Sequence, residues 1–151
     1  MIPRHPKRRG EWVEMQFMAR AAAHGLTVSK PWGDSARYDF IVEQRGRFRR
    51  VQVKSTLQTA KHKNGPPGAY LCNTISRGPG GKVRTYSPAE VDFFALFVIP
   101  LDLWYIVPVS ALRLPGRGAC RERSRTALLL DTTRPGNRYF RYLEAWHLLR
   151  S

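Results

Sequence analysis

Two strand-like segments joined by a three-residue turn constrain this chain more than any other feature. Residues 37–43 read RYDFIVE and residues 48–56 read FRRVQVKST, with Gln44, Arg45 and Gly46 between them. Side chains alternate across a strand, so Val51 and Val53 share one face while Gln52 and Lys54 share the other. Paired strands lie about 4.8 Å apart, close enough for Asp39 on the first to meet Gln52 and Lys54 on the second. Such a hairpin needs further strands beside it and a layer to cover its apolar face.

The rest of the chain supplies both. Residues 11–24 predict a helix, because Phe17, Met18 and Ala21 recur at helical spacing and residues 19–23 favour helix. Gly25 suits the position just past its end. Glu14 precedes Phe17, Met18 and Ala21 by three, four and seven residues, so it points along the apolar face, where a carboxylate needs a reason. Glu11 is the alternative acid on this helix. Residues 26–30 form a short strand candidate that Pro31 ends, and residues 31–35 are a turn by composition.

Residues 61–68 read as a loop and 69–75 as a strand, and the glycine- and proline-rich residues 77–82 read as irregular and mobile. Residues 92–99 and 104–109 are buried strands around a turn at 100–102, and a basic stretch at 117–125 precedes a strand at 126–131. Residues 139–149 suggest a closing amphipathic helix. The order predicts one α/β domain over residues 11–151, a mixed sheet flanked by helices, preceded by a basic arm over residues 1–10.

Charge narrows the partner. Lys and Arg number 26 against 11 acids, a net charge of +15. Such a field attracts polyanions, and the guanidinium fork matches phosphate, so nucleic acid is the expected partner. Residues 44–64 hold seven basic residues and no acid, an asymmetry that phosphate binding explains better than solubility. No apolar run approaches the roughly 20 residues of a membrane span. The basic start has no hydrophobic segment behind it, so it is no secretory signal, and a cytoplasmic location is expected. Cys72 and Cys120 lack zinc-site spacing, and the four histidines show no paired spacing. Ser35 and Ser55 have no histidine partner to make a serine hydrolase. No RNA-recognition pattern of the RRM or KH type is visible.

The stretch RYDFIVEQRGRFRRVQVKST resembles the motif hairpin of the PD-(D/E)XK nucleases, and GEWVEMQFMARAAAHGLTVSKPWG resembles the helix and strand that precede it there. The spacing of Glu14 and Gly25 is similar to archaeal Holliday junction resolvases. The Gln-x-Lys ending resembles the group I intron homing endonucleases of this fold. The resemblance covers roughly residues 10–56.

It implies a restriction-endonuclease-like core of αβββαβ type and hydrolysis of DNA phosphodiesters with Mg²⁺, or Mn²⁺ in its place. It also implies that Asp39, the Gln52 oxygen and the Val53 backbone carbonyl hold the metal. Glu14 completes the site, through water or directly, and Lys54 is the motif lysine. Tyr38 stands where the family's name-giving proline would be, and Gln52 replaces a carboxylate. That exchange lowers the negative charge and opens the alternative of a weak or inactive DNA-binding protein on the same fold. DNA contacts are expected from Arg8, Arg9, Arg37, Arg47, Arg49, Arg50, Lys61, Lys63, Lys82 and Arg84. A homo-oligomer, dimer or tetramer, is expected because one site faces one strand, with the apolar segments at 92–99, 104–109 and 139–149 as its interface.

Overall fold

In the computed structural model, which describes residues 1–60, 68–114 and 123–151, a five-stranded mixed sheet divides the core into two halves. Helix α1 (Pro6–Ala23) is followed by strands β1 (Thr27–Ser29), β2 (Phe40–Gln44) and β3 (Arg47–Thr56). Strand β4 (Ala69–Asn73) comes next, then the short β5 (Ser76–Arg77) and β6 (Val83–Arg84), β7 (Phe93–Val98) and β8 (Leu103–Pro108). Strands β9 (Arg113–Leu114), β10 (Arg123–Ser124) and β11 (Ala127–Asp131) complete the set. The sheet order is β1-β2-β3-β7-β8. Neighbours run antiparallel except β3 and β7, which are parallel with Gln52 opposite Phe94 and Lys54 opposite Leu96.

Helix α1 covers one face through buried Val13, Phe17 and Ala21. Phe17 is fully buried and stacks on Phe40 and Trp146, with Trp104 tilted beside it. Val51 and Val53 join this half, as their alternation predicts. The opposite face buries Phe94, Leu96 and Tyr105 under the β4–β11 pair, with Tyr70, Cys72, Leu128 and Leu130. Cys72 is a free, fully buried thiol that burial pushes up to about 12, so it is chemically inert. Cys120 lies outside the described residues.

The hairpin turns at Arg45–Gly46, one residue fewer than the expected turn over 44–46, because Gln44 pairs with Arg47 in the ladder. Arg45 and Gly46 both have positive φ, 51° and 75°, the sign pattern of the tight turn that matches strand twist. Gly25, at φ 71°, ends α1 with Leu26 N–H donating to the Ala21 carbonyl and Gly25 N–H to that of Ala22, the doubled bonding of a Schellman stop.

Four expectations need correction. Helix α1 begins at Pro6 rather than residue 11, because a proline in the first turn loses no helical hydrogen bond and its fixed φ already suits the helix. Half of the basic arm, residues 6–10, is therefore the start of that helix. Met18 is exposed rather than part of the apolar face. Residues 77–82 are not irregular throughout: β5 pairs with β6 around Pro79–Gly81, where Gly80 and Gly81 supply the positive φ. The closing segment is no α-helix but two 3-10 turns, Phe140–Tyr142 and Trp146–Arg150. Glu144, at φ 49° between them, donates its N–H to the Trp104 carbonyl, while its carboxylate accepts from Trp104 N–H and Trp146 Nε1. These bonds cap the free edge of β8, and no continuous helix could make them. Among the described residues α1 is thus the one α-helix, and none is long and apolar enough to span a membrane.

Candidate active site

The β2–β3 ladder ends at Asp39, whose N–H donates to the Val51 carbonyl at 2.9 Å. Beyond that point the strands part, and a cleft opens in the gap. In a strand the N–H and C=O of one residue point to the same side, so Val53 presents both groups to the gap with no partner strand. Its N–H donates to Asp39 Oδ2 at 2.8 Å. Its carbonyl meets only the Gln52 side-chain amide, at a long 3.4 Å.

Glu14, Asp39, Gln52, Val53 and Lys54 all line this cleft, together with Gly10. The hairpin supplies Asp39, Gln52 and Lys54, as the alternation predicts. Glu14 comes from α1, which packs on the Val51 and Val53 face, and lines the same gap. Glu11, the alternative acid, is exposed on a separate surface hollow with His5, Lys7 and Arg8. Gln52 Nε2 donates to Asp39 Oδ2 at 2.7 Å. Asp39 Oδ1 accepts no hydrogen bond from any described residue.

Burial raises the Asp39 carboxyl above its ordinary value of 3.8, and the Glu14 charge adds to it. The Val53 N–H, the Lys54 charge and the Gln52 amide pull the other way without cancelling the rise. An acid kept in a partly dry cleft with one oxygen unengaged is poised for a cation rather than for water. Lys54 Nζ makes no hydrogen bond to a described residue and stands 5.9 Å over the Tyr86 ring.

Divalent cations of the Mg²⁺ type take oxygen ligands. The gap offers Asp39 Oδ1, the Val53 carbonyl and Glu14, and Gln52 once its amide turns its oxygen inward. No cluster of three His, Cys, Asp or Glu side chains stands among the described residues, as expected where an amide and a backbone carbonyl replace carboxylates. The donor set fits such an ion.

Two site residues escaped the sequence reading. Lys30 pairs with Glu14 at 2.5 Å, and Tyr86 sits beneath Lys54. Lys30 had one available signal, its place at the end of the strand after the acid-bearing helix. Tyr86 had none, because its approach depends on the long path from β4 to β7.

The expected DNA contacts divide. Arg8, Arg47, Lys82 and Arg84 are exposed, and Arg9 is half-buried with a bond to the Arg4 carbonyl. Arg49 donates to the Ser151 carbonyl. Arg37 is occupied: it donates to Glu90, Ser76 and the Thr85 carbonyl and stacks 4.2 Å from the Tyr86 ring. Arg50 likewise binds both oxygens of Asp92 and the carbonyls of Pro88 and Ala89. These two guanidinia hold the segment before β7 against the sheet and have few donors left for phosphate. Lys61 and Lys63 lie outside the described residues.

Comparison with known proteins bears on the fold and the family. A solved structure of a bacterial homing endonuclease, I-Ssp6803I, superposes with a TM-score of 0.72 at 26% identity, over 96% of this chain and 93% of that one. No curated protein sequence matches the chain closely enough to count as a relative. The family model of the PD-(D/E)XK endonucleases matches residues 4–149. The chain therefore belongs to the PD-(D/E)XK endonuclease family.

Proposed function

We propose that this endonuclease cuts DNA with a divalent cation held in the β2–β3 gap, Mg²⁺ by preference and Mn²⁺ in its place. The observation that carries the reading is the convergence of Asp39, Gln52, Lys54 and a Val53 carbonyl without a strand partner at one break in a ladder, with Glu14 beside them. Asp39 Oδ1, the Val53 carbonyl and the Gln52 side-chain oxygen would hold the ion, and Glu14 would complete the shell directly or through water. When bound, such an ion polarises the phosphoryl oxygens and stabilises the leaving oxygen.

The protein's own groups do the rest. Lys54, free of hydrogen bonds to described residues, is placed to orient the attacking water or to neutralise charge building on the phosphorus oxygens. Val53 N–H holds Asp39 Oδ2, so that the other oxygen faces the cleft, and the Gln52 amide adds to that hold until it turns its oxygen to the ion. Attack opposite the leaving 3′ oxygen breaks the P–O3′ bond, giving a 5′-phosphate and a 3′-hydroxyl. The net charge of +15 supplies the attraction to the phosphate backbone.

Gln52 in place of a second acid favours one competing reading, a DNA-binding protein with weak or no catalysis. Incubation of supercoiled plasmid with the protein in Mg²⁺, Mn²⁺ or EDTA separates the two. Cleavage with either ion, absent in EDTA and leaving 5′-phosphate ends, supports the enzyme. DNA binding without cleavage under any condition supports the competitor.

A further inference from the structure

Trp32 is the most exposed aromatic residue described, at 102% relative accessibility, whereas Trp104 and Trp146 are buried and Trp12 packs on the core. It is mounted between Pro31, whose φ is fixed, and Gly33, whose φ of 76° favours glycine. Its chain neighbours Pro31 and Gly33 line a second hollow of about 190 Å³, together with Lys30, Asp34 and Tyr38, and the indole itself stands outside it in solvent. Glu14 and Asp39 line this hollow as well as the catalytic cleft, so the two adjoin. Lys30 is 57% exposed, and its ammonium spends one donor on Glu14, which leaves two for an anion. An exposed indole ring and a cation beside the cleavage site match one chemistry: a base with its phosphate. Phe48, the next most exposed aromatic, sits in the β2–β3 ladder opposite Glu43, and its neighbours Arg47 and Arg49 line neither the cleft nor this hollow, unlike Pro31 and Gly33 beside Trp32.

We propose that the Lys30–Trp32 loop is a nucleotide subsite beside the scissile phosphate, with Trp32 stacking on an unstacked base and Lys30 binding the neighbouring phosphate. This deepens the reading that the cleft cuts DNA and rests on it. An indole can stack on a base only where the base is free of its neighbours, so the favoured substrate is single-stranded or locally opened at the cut. Asp34, the other charged group of the hollow that is not in the catalytic cleft, lies on the far side of Trp32 in sequence and disfavours a second phosphate there.

The test is binding of a short oligodeoxythymidylate and of a random duplex in EDTA, followed by the labelled DNA's anisotropy and by tryptophan emission. Wild-type protein should bind the single strand with quenching of the exposed indole. Trp32→Ala should bind the single strand on the order of tenfold more weakly and lose the quench, while Trp32→Phe keeps most of the affinity. Lys30→Gln should weaken both DNAs and preserve the quench. Trp32 touches no core, so a folding defect in its variants is not expected, and circular dichroism checks it. Unchanged affinity and quench in Trp32→Ala would overturn the subsite. So would a fall in mass by light scattering with DNA binding intact, since that assigns the indole to a second copy of the chain. If wild-type protein binds neither DNA, the reading of the cleft itself fails, which the variants would not produce alone.

Discussion

Asp39 is held in conflict with its surroundings. Burial and the Glu14 charge raise its pKa, so the folded chain keeps that proton more tightly than the unfolded chain does. The ionised form therefore costs stability, a cost absent below the ordinary value of 3.8 and complete once the pH exceeds the raised folded value. Asp39→Asn in metal-free buffer should raise Tm at neutral pH, and the gain should shrink as the pH falls through the carboxylate range. A lower Tm at neutral pH would contradict it. Active sites commonly trade stability for function in this way.

Gln52 relieves the same conflict, since its amide donates to Asp39 where a glutamate would repel it. Gln52→Glu should lower Tm without metal and reduce the Mg²⁺ or Mn²⁺ concentration at half-saturation. An unchanged titration would mean that Gln52 does not touch the ion. At this scale the site was legible: the alternation along residues 48–56 places Gln52 and Lys54 together, and turn chemistry at Arg45–Gly46 sets their register against Asp39. The parting of β2 from β3 was not, because only three-dimensional packing decides where a ladder stops.

Elements hold the site through two seams. Phe17 anchors α1, and with it Glu14, to the sheet. Phe17→Ala should cost about 3–5 kcal/mol of unfolding free energy in a urea titration. Glu144 pins the C-terminal segment to the edge of β8 and is half-buried. Glu144→Ala should cost about 1–3 kcal/mol, because it leaves Trp104 N–H and Trp146 Nε1 without their acceptor.

The same residue explains why residues 139–149 deceived the sequence reading. Their apolar spacing is helical, yet the strand edge they cover demands a positive φ at Glu144, and tertiary bonds outweighed propensity. Helix α1 was read too short for the opposite reason: two prolines and a run of positive charge suggest an arm, but Pro6 falls at the one turn where a helix tolerates it.

At the scale of the whole molecule, the strands offered as an oligomer interface are spent on the chain's own core. Phe94, Leu96, Trp104 and Ile106 are fully buried within it. A dimer or tetramer, proposed because two strands need two sites, must therefore use other surface. Light scattering at micromolar protein in high salt should give a multiple of 17.3 kDa. A monomer that breaks duplexes only by independent nicks would contradict it. The basic charge that marks the chain as a polyanion binder was plain in composition. Its division into exposed and scaffold arginines was not, since Arg37 and Arg50 reveal their Glu90 and Asp92 partners only when distant segments meet.

The proposed cleavage requires Asp39 and Lys54 to act together in the β2–β3 gap. Its most direct test is plasmid cleavage by wild-type, Asp39→Ala and Lys54→Ala proteins in Mg²⁺ or Mn²⁺, with DNA affinity measured in parallel. Either substitution should abolish detectable cleavage and leave affinity within a few-fold of wild type. Full cleavage by Asp39→Ala would contradict the account.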